Sequence, residues 1–525
     1  MKTLLEFATD DMLTVLLVKE RAKCRRRNRG ERNHSLDKSL PFETMATRKQ
    51  LSRLMPARRR WVHPRKREKL ANKASDTSKN AEKALLLTIK NDRTRQAQGG
   101  APLPYLGEMD AFFKRIRTRL TAETVTLQTP LLMPLYKDEK RLEDNTCEVT
   151  CRPLAVYNQL EDKVILALTC RYIKSYFDRY LHDNILSYRP ARAWGDSHYR
   201  VPDFNDGARL VQAFREAHDA ETIYAFDCDI KKFYDIIPHQ VVRDCFGRLL
   251  DRSNLNEDGR RQLMRVIDAY LDSYNFYTNA WLEAERNPQQ VFYKIRRRMR
   301  DADGRNTYRF GWVDELLQAD DTIRLHAGVP QGGALSLMIA DFVLNDVDQT
   351  LLRERDENMI LVRFCDDMIL LHTDYERCCR MKQLYEQALT AHGLYYHQPQ
   401  QVIADPRREF WKAKSHLPFL WGDGEDNSNR YIGFLGYEIR RDGRMRLRKS
   451  TIERFLKKFK RLRYSLRRRR KRLSPEDFIT SRDKSIQTIL GGVDFYEAFN
   501  HDQLCHGSQY RYLEKLGKKI KSHWS

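Results

Sequence analysis

Three aspartates stand where two metal ions could be held. Asp229 ends the segment TIYAFDCD, whose β-branched and aromatic residues predict a strand. Asp366 and Asp367 lie between two apolar runs in ILVRFCDDMILLH, a pattern that predicts a hairpin with the carboxylates at its turn. Transfer of a phosphoryl group to a 3′ hydroxyl uses two Mg²⁺ ions, which prefer a few carboxylate ligands. The pattern therefore predicts a two-metal site if both segments meet in one sheet.

A fourth carboxylate leaves the ligand set open. Asp227 precedes Asp229 by two residues, and residues i and i+2 of a strand share a face. Periodicity alone therefore does not separate the two side chains. The segment FCDD, taken alone, also fits a solvent-exposed turn that carries only surface charge.

Alternating strand-like and helix-like patterns surround these carboxylates. Residues 335–343 carry apolar side chains at helical spacing after a glycine-rich start. The segment RYIGFLGYEIRRDGRMRLR predicts a hairpin that turns at Asp442-Gly443. Residues 450–473 predict a helix with one apolar face and one face crowded with Lys and Arg.

Charge and composition indicate a phosphate-bearing partner. The chain has 96 Lys plus Arg against 72 Asp plus Glu, a net charge of +24, which favours nucleic acid. The ten cysteines form no CxxC pair, so neither a disulfide framework nor a structural zinc site is predicted. Residues 3–20 predict one amphipathic helix, and no apolar run reaches the roughly 18 residues of a membrane span. These features predict a cytoplasmic protein with no membrane contact.

Arginine runs make residues 19–70 a basic arm. The arm has few apolar residues between its clusters, so we expect it to order on RNA, with a solvated tail as the alternative. Trp61 and His63 are candidates for stacking on unpaired bases. Gly and Pro in residues 97–104 predict a boundary after the arm.

Several segments, in order, resemble the motifs of reverse transcriptases, most closely the bacterial ones of group II introns, retrons and phage-defence systems. They are RPLAVYNQLEDKVILAL (152–168), SYRP (187–190), FDCDIKKFYDIIPH (226–239), GVPQGGALS (328–336), VRFCDDMIL (362–370) and FLGYEI (434–439). The resemblance covers roughly residues 150–500 and implies an α+β right-hand polymerase. It implies a basic, RNA-binding N-terminal extension over 1–100, fingers over 101–220, a palm with an antiparallel sheet over 221–440 that includes a fingers insertion at about 246–325, and a basic helical thumb over 441–525.

The resemblance also implies site residues. Asp229, Asp366 and Asp367 would be catalytic and would bind the metal ions together with the backbone of Ile230. The residues implied to bind the nucleotide are Tyr234, Gln331, Gly332, Arg152 and Arg189. Tyr234 stands where the family has the aromatic residue that excludes a ribose 2′ hydroxyl, and a tyrosine that only packs in the core is the alternative. Arg152 and Arg189 could each equally form a structural ion pair instead. The residues implied to contact primer and template are Phe434, Leu435, Gly436, Arg461 and Arg463.

The sequence departs from the family where a proton donor is expected. Gln400 lies near the position of a lysine that is thought to protonate the leaving pyrophosphate. His397 is the nearby candidate, and a structural histidine is its alternative. The general acid is therefore left open.

Taken together, the resemblance implies an RNA-directed DNA polymerase that makes cDNA from deoxynucleoside triphosphates, with two Mg²⁺ ions or with Mn²⁺ in their place. The template would be a partner structured non-coding RNA and the role antiphage defence, as in defence-associated reverse transcriptases of the unknown group. A group II intron-type maturase that assists splicing, a polymerase of ribonucleotides and a non-catalytic RNA-binding scaffold are the alternatives. A homo-oligomer is compatible with the sequence.

Overall fold

The computed structural model describes residues 1–30, 47, 49–62, 76–141, 147–194, 198–281, 326–333, 335–402, 410–424, 427–497, 518 and 522. These residues form a mixture of helices and sheets, which confirms the mixed character of the predicted α+β class. The chain divides into two compact units: unit 1 comprises Met1–Tyr180 and Lys232–Val343, and unit 2 comprises Leu181–Lys231 and Leu344–Ser525. The predicted division into fingers, palm and thumb stays a prediction. His63 and most of the predicted insertion near 246–325 lie outside the described residues.

The helices of the described residues follow one another along the whole chain. They are α1 (Leu4–Phe7), α2 (Asp10–Gly30), α3 (Asp76–Ala97), α4 (Pro104–Thr121), α5 (Leu160–Tyr176), α6 (Phe204–Ala217), α7 (Phe233–Ile236), α8 (His239–Asp251), α9 (Glu257–Asp272), α10 (Ser336–Leu352), α11 (Tyr375–Ala391), α12 (Lys449–Arg470) and α13 (Pro475–Glu497). Residues 49–53 are also helical, and there are short 3₁₀ turns at Arg58–Arg60 and Asp178–Tyr180 and a π-helical segment at Phe276–Trp281. None of the helices described is long and apolar enough to cross a membrane.

The strands form two hairpins and two larger sheets. The hairpins pair β1 (Leu131–Arg141) with β2 (Cys147–Val156) and β3 (Arg192–Trp194) with β4 (His198–Arg200). A five-stranded sheet in the order β6-β7-β5-β8-β9 consists of β5 (Tyr224–Cys228), β6 (Met359–Phe364), β7 (Asp367–His372), β8 (His416–Trp421) and β9 (Ser428–Asn429). A three-stranded sheet consists of β10 (Tyr431–Phe434), β11 (Tyr437–Arg440) and β12 (Met445–Leu447). In the five-stranded sheet all pairs are antiparallel except β8–β9.

The N-terminal segment forms two helices, so the prediction of one continuous amphipathic helix was wrong. The Thr3 hydroxyl accepts from the Glu6 N–H and the Glu6 carboxylate accepts from the Thr3 N–H, which makes a capping box for α1. The chain leaves helical geometry at Ala8, and α2 begins two residues later. Leu4 and Leu13 are fully buried within unit 1. A truncation that removes these residues would therefore open the core of unit 1.

The five-stranded sheet of unit 2 is covered on both faces. On one face a hydrophobic core joins the sheet to α6 and to the three-stranded sheet, as shown by buried Ala225, Val211 and Ile439. On the other face α11 packs against the sheet, and the ring of Phe226 meets that of Tyr385 edge to face at 6.1 Å. Burial on both faces leaves the ends of the strands as the places where polar side chains reach solvent.

The segment predicted as a hairpin around Asp442-Gly443 forms three strands with two turns. The predicted turn joins β11 to β12, and Gly443 has a φ of 86° there. A second turn at Leu435-Gly436 joins β10 to β11, with φ values of 51° and 89°. Two positive φ angles make the tight turn that matches strand twist. Leucine rarely adopts this conformation, so the sequence around Leu435 gave little indication of a turn.

The helix predicted at 450–473 is present as α12. Its apolar side chains pack on α13 in a separate core, whose members are Phe455, Phe459, Leu462, Leu466, Phe478, Ile486 and Leu490. The spacing within α12 is that of one face of a helix. Its opposite face carries exposed Lys and Arg side chains, as the sequence predicted.

Candidate active site

The three predicted metal-binding aspartates lie at one end of the five-stranded sheet. Asp229 directly follows β5, Asp366 lies in the turn of the β6–β7 hairpin, and Asp367 begins β7. β5 and β7 pair antiparallel with Cys228 opposite Met368, so the next pair outward is Asp229 and Asp367. The register therefore brings two distant segments of the chain to the same end of the sheet.

A buried ion pair holds the turn that carries Asp366. Arg363 Nε donates to Asp348 Oδ2 at 2.7 Å, and both side chains are 1% exposed. The same guanidinium donates through Nη1 to the carbonyl of Cys365 at 3.0 Å, and the Cys365 N–H donates to Ser187 Oγ at 3.0 Å. Cys365 has a φ of 58°, a conformation that costs a non-glycine residue about 1–2 kcal/mol. These bonds offset that strain and fix the turn.

The backbone of Asp229 is held from two sides. Its N–H donates to Ser415 Oγ at 2.9 Å, and its carbonyl accepts from the His397 N–H at 2.9 Å. A bridge between Ile230 and Tyr396 extends this pairing by one residue. The bonds of the bridge come from the residues on either side, so neither uses the carbonyl of Ile230, the predicted backbone ligand.

His416 contacts both carboxylate oxygens of Asp227, more closely than either neighbouring basic side chain approaches Asp229. His416 Nδ1 lies 2.8 and 2.9 Å from the two carboxylate oxygens of Asp227, and Nε2 lies 2.9 Å from the Phe410 carbonyl oxygen. Because a carbonyl oxygen and a carboxylate both accept, the ring donates through both nitrogens and is an imidazolium. Burial lowers the pKa of His416, but the hydrogen bond and charge of Asp227 outweigh it and the net shift is upward. The pairing favours Asp229 as the metal ligand of this strand.

Two basic side chains lie beside Asp229. Its Oδ2 is 3.6 Å from His397 Nε2 and 3.8 Å from Lys414 Nζ. Lys414 Nζ is in turn 3.1 Å from His397 Nε2. His397 was singled out from the sequence, whereas Lys414 was missed because no local motif marks it.

Gln400, which stands where the family has a lysine, lies next to the same segment. Its N–H donates to the Ser415 carbonyl at 3.0 Å, and it forms a bridge to His416. The segment that includes Lys414 is therefore close to the position where the sequence analysis expected a basic residue. The pairing of the two segments, which the sequence does not reveal, is what brings them together.

Three other carboxylates lie close enough to Asp367 to affect its ionisation. The pKa of Asp367 is raised to about 7, first by burial among protein atoms and then by the charges of Asp366, Asp227 and Asp229, while Arg448 opposes the shift. Asp367 is nevertheless an exposed residue by its accessible surface, so water screens part of this effect. A divalent cation would relieve the repulsion that remains.

The donor set fits a hard divalent cation by its chemistry, since all three predicted ligands are carboxylates at the same end of the sheet. Within the described part of the chain, no three His, Cys, Asp or Glu side chains converge closely enough to hold a metal ion as they stand. Binding of Mg²⁺ therefore requires these side chains to turn towards the ion.

Three of the predicted nucleotide-binding residues, Tyr234, Gln331 and Gly332, lie in unit 1. Tyr234 is half-buried in α7. Gln331 Nε2 donates to Asp235 Oδ1 at 2.6 Å. Gly332 has a φ of 82°, a left-handed conformation that favours glycine, and a Cβ there would push on the tip of the Leu154 side chain. Their roles in nucleotide binding stay predictions.

The two candidate triphosphate arginines have different surroundings. Arg152 lies in β2, paired with Leu135. Arg189 is 2% exposed, and its Nη1 donates to the carbonyls of His182 and Ile185 at 2.7 and 3.1 Å. The guanidinium of Arg189 thus supports its own loop, which favours a structural role, although the bonds shown are to backbone carbonyls and not the ion pair that the sequence analysis named as the alternative. Phosphate binding by either arginine stays a prediction.

The predicted primer and template contacts are partly buried and partly exposed. Phe434 is fully buried, so its side chain is not available to a primer in this conformation. Leu435 and Gly436 form the turn that follows it. Arg461 and Arg463 are exposed on α12. In the arm, the Trp61 indole N–H donates to the Pro56 carbonyl at 3.0 Å, and the ring is half-buried.

Neither a known protein family nor a curated protein matches the sequence. The structure is similar to a telomerase from Candida albicans in complex with a TWJ fragment of telomeric RNA, at 12% identity and a TM-score of 0.31, over 92% of this chain and 80% of that chain. It is similar to an apo telomerase from Candida tropicalis at 13% identity and a TM-score of 0.34, over 76% of this chain and 63% of that one, less than two thirds of its length. With TM-scores below 0.5 these likenesses carry no argument, so the function is inferred from the chain's own residues.

Proposed function

We propose that the protein is a template-copying polymerase of the reverse-transcriptase kind, an RNA-directed DNA polymerase. The observation that carries the proposal is the register of β5 and β7, which brings Asp229 next to Asp367 at one end of the sheet. Asp366 stands beside them on a turn that a buried ion pair fixes. Carboxylates from separate segments on rigid backbone are what nucleotidyl transfer by two metal ions requires.

Some residues of the site would bind the metal ions, and others position those ligands. Asp229, Asp366 and Asp367 would hold two Mg²⁺ ions, with the carbonyl of Ile230 as a further donor. The chemistry that Mg²⁺ supplies when bound is activation of the primer 3′ hydroxyl and neutralisation of the triphosphate. Arg363 positions the turn that carries Asp366, as its bond to the neighbouring carbonyl indicates.

The substrates follow from the resemblance and from charge. Tyr234 would exclude the ribose 2′ hydroxyl, so deoxynucleoside triphosphates are the proposed substrates and cDNA the product. Exposed Arg461 and Arg463 on α12 would bind the phosphates of template and primer. The finer proposals, a structured non-coding RNA as template, a place in bacterial antiphage defence and a cytoplasmic location, rest on the sequence motifs and composition.

A non-catalytic RNA-binding scaffold is the second candidate. The observation in its favour is that no three ligand side chains already converge in the described part of the chain. The two candidates differ in one measurable property, which is extension of a primer in the presence of a divalent cation.

Primer extension on an RNA template with Mg²⁺ and deoxynucleotides tests the proposal. Asp367→Asn removes one charged ligand and keeps the side-chain shape, so we expect it to abolish extension with folding intact. Asp423→Asn is the matched control, because Asp423 is an exposed aspartate of the same unit with 63% of its side chain accessible. Undiminished extension by Asp367→Asn would contradict the metal-site assignment. A parent protein that binds RNA and never extends a primer would establish the scaffold instead.

A further inference from the structure

The position of Lys414 is set by the pairing of β8 with β5. The residue after it, Ser415, is fully buried and accepts from the Asp229 N–H. The next residue, His416, is the partner of Asp227 in the sheet register and also binds its carboxylate. Because both following residues are fixed to β5, the Lys414 side chain starts from a defined point beside Asp229.

The Lys414 ammonium lies between a carboxylate and an imidazole. It is 3.8 Å from Asp229 Oδ2 and 3.1 Å from His397 Nε2. An ammonium has only donors, so Nε2 of His397 accepts in this contact. The imidazole thus holds the ammonium next to the carboxylate. The Lys414 side chain is 57% exposed, so it can leave this position without opening the core.

A divalent cation bound at this end of the sheet would change the position of the Lys414 ammonium. A divalent cation that binds Asp229 would stand within a few ångströms of the ammonium, and like charges at that distance repel. The same cation would bring a polyphosphate with it if the protein acts as proposed above. A lysine side chain is long and flexible, and phosphate is the anion that an ammonium binds as a point charge.

We propose that Lys414 is the internal counter-ion of Asp229, that a divalent cation displaces it, and that the released ammonium then binds the polyphosphate of the nucleotide. The first step concerns only the chain and a cation. The second step rests on the proposed polymerase function.

Binding of Mn²⁺ alone tests the first step. Electron paramagnetic resonance of the full-length protein without nucleotide or RNA measures the Mn²⁺ affinity directly. Lys414→Ala removes the ammonium that competes with Mn²⁺ for Asp229. The attraction between two unit charges at the 3.8 Å that separates Lys414 Nζ from Asp229 Oδ2 corresponds, in a water-like medium, to about a fivefold change in affinity, so we expect Mn²⁺ to bind about fivefold more tightly.

Lys414→Arg should bind Mn²⁺ as the parent does. Lys412→Ala is the matched control, because Lys412 is exposed two residues earlier and its loss changes the net charge equally. An unchanged or weaker Mn²⁺ affinity in Lys414→Ala would overturn the counter-ion assignment.

Binding of inorganic tripolyphosphate in the presence of saturating Mn²⁺ tests the second step. We expect Lys414→Ala to bind it about two- to fivefold more weakly, the effect of one exposed ion pair. Lys414→Arg should retain the parent affinity, and so should Lys412→Ala. Equal affinity in Lys414→Ala and the parent would overturn the second step.

These measurements separate this inference from the proposed function. If the parent extends no primer while Lys414→Ala still tightens Mn²⁺ binding, the counter-ion assignment stands and the polymerase proposal fails. If the parent extends primers and neither Lys414→Ala measurement changes, the inference about Lys414 fails alone.

Discussion

The carboxylate end of the five-stranded sheet and the basic face of α12 are built in different ways, although both lie in unit 2. Asp229 stands on backbone that is hydrogen-bonded at its N–H and at its carbonyl, and Asp366 stands on a turn held by the buried guanidinium of Arg363. Arg461 and Arg463 project from a helix whose apolar stripe, on its other face, packs on α13.

The difference corresponds to two requirements, rigid positioning of reacting groups and electrostatic binding of a phosphate backbone. Reacting groups must be held within about 0.5 Å of a productive geometry, which requires a rigid surrounding shell. Binding to a phosphate backbone depends on how many charges are neutralised, and tolerates freedom in each side chain. We therefore expect substitutions around the carboxylates to change stability and activity, and substitutions on the α12 surface to change only the affinity for nucleic acid and its salt dependence.

The largest effect is expected at Arg363. Arg363→Met leaves Asp348 buried without its partner, so the free energy of unfolding of unit 2 should fall by about 3–5 kcal/mol. Hydrogen exchange of the β6 and β7 amides measures this loss within the unit. Arg353→Met is the control, because Arg353 is exposed and close in sequence. The double change Arg363→Met with Asp348→Leu should recover much of the stability, since it leaves no unpaired charge. A single Arg363→Met protein with parental protection would show that the pair does not hold the turn.

A smaller effect is expected at Asp227. Asp227→Asn keeps the shape but removes the charge that His416 faces, so the free energy of unfolding should fall by about 1.5–3 kcal/mol. Because Asp227 raises the pKa of His416, the pair stabilises fully below the ordinary histidine pKa of about 6.5, and this stabilisation is lost as pH rises through the folded value. Unfolding measured against pH should show a smaller decline in Asp227→Asn than in the parent. Asp423→Asn should keep the parental profile, and an identical profile in Asp227→Asn would contradict the pairing.

The sequence predicted the parts of the site that have local signals. Apolar runs around FCDD mark a hairpin by themselves, and the apolar stripe of residues 450–473 marks a helix by its spacing. Both are present, at β6–β7 and α12. The turn at Leu435-Gly436 was missed because leucine at a positive φ has no sequence signature.

Residues that reach the site through long-range pairing were not predictable in the same way. Lys414 and His416 come to β5 only through its register with β8, which joins segments nearly 190 residues apart. Period two placed Asp227 and Asp229 on one face and could not choose between them. The choice depends on His416, whose position is a property of the sheet and not of either segment.

The smallest effect on the fold is expected from the α12 arginines, which makes them the sharpest test of the comparison. Arg461→Gln with Arg463→Gln removes two exposed charges, so folding stability should stay within about 0.5 kcal/mol of the parent. Each phosphate that a side chain no longer neutralises lowers the slope of log affinity against log salt by about 0.7–0.9, so the slope should become shallower by about 1.4–1.8. RNA binding at several salt concentrations measures it. Arg353→Gln with Arg355→Gln carries the same charge change on exposed residues outside α12 and should leave the slope unchanged. If both double variants shift the slope equally, net charge and not the α12 surface governs binding. If neither does, α12 is not the nucleic-acid interface.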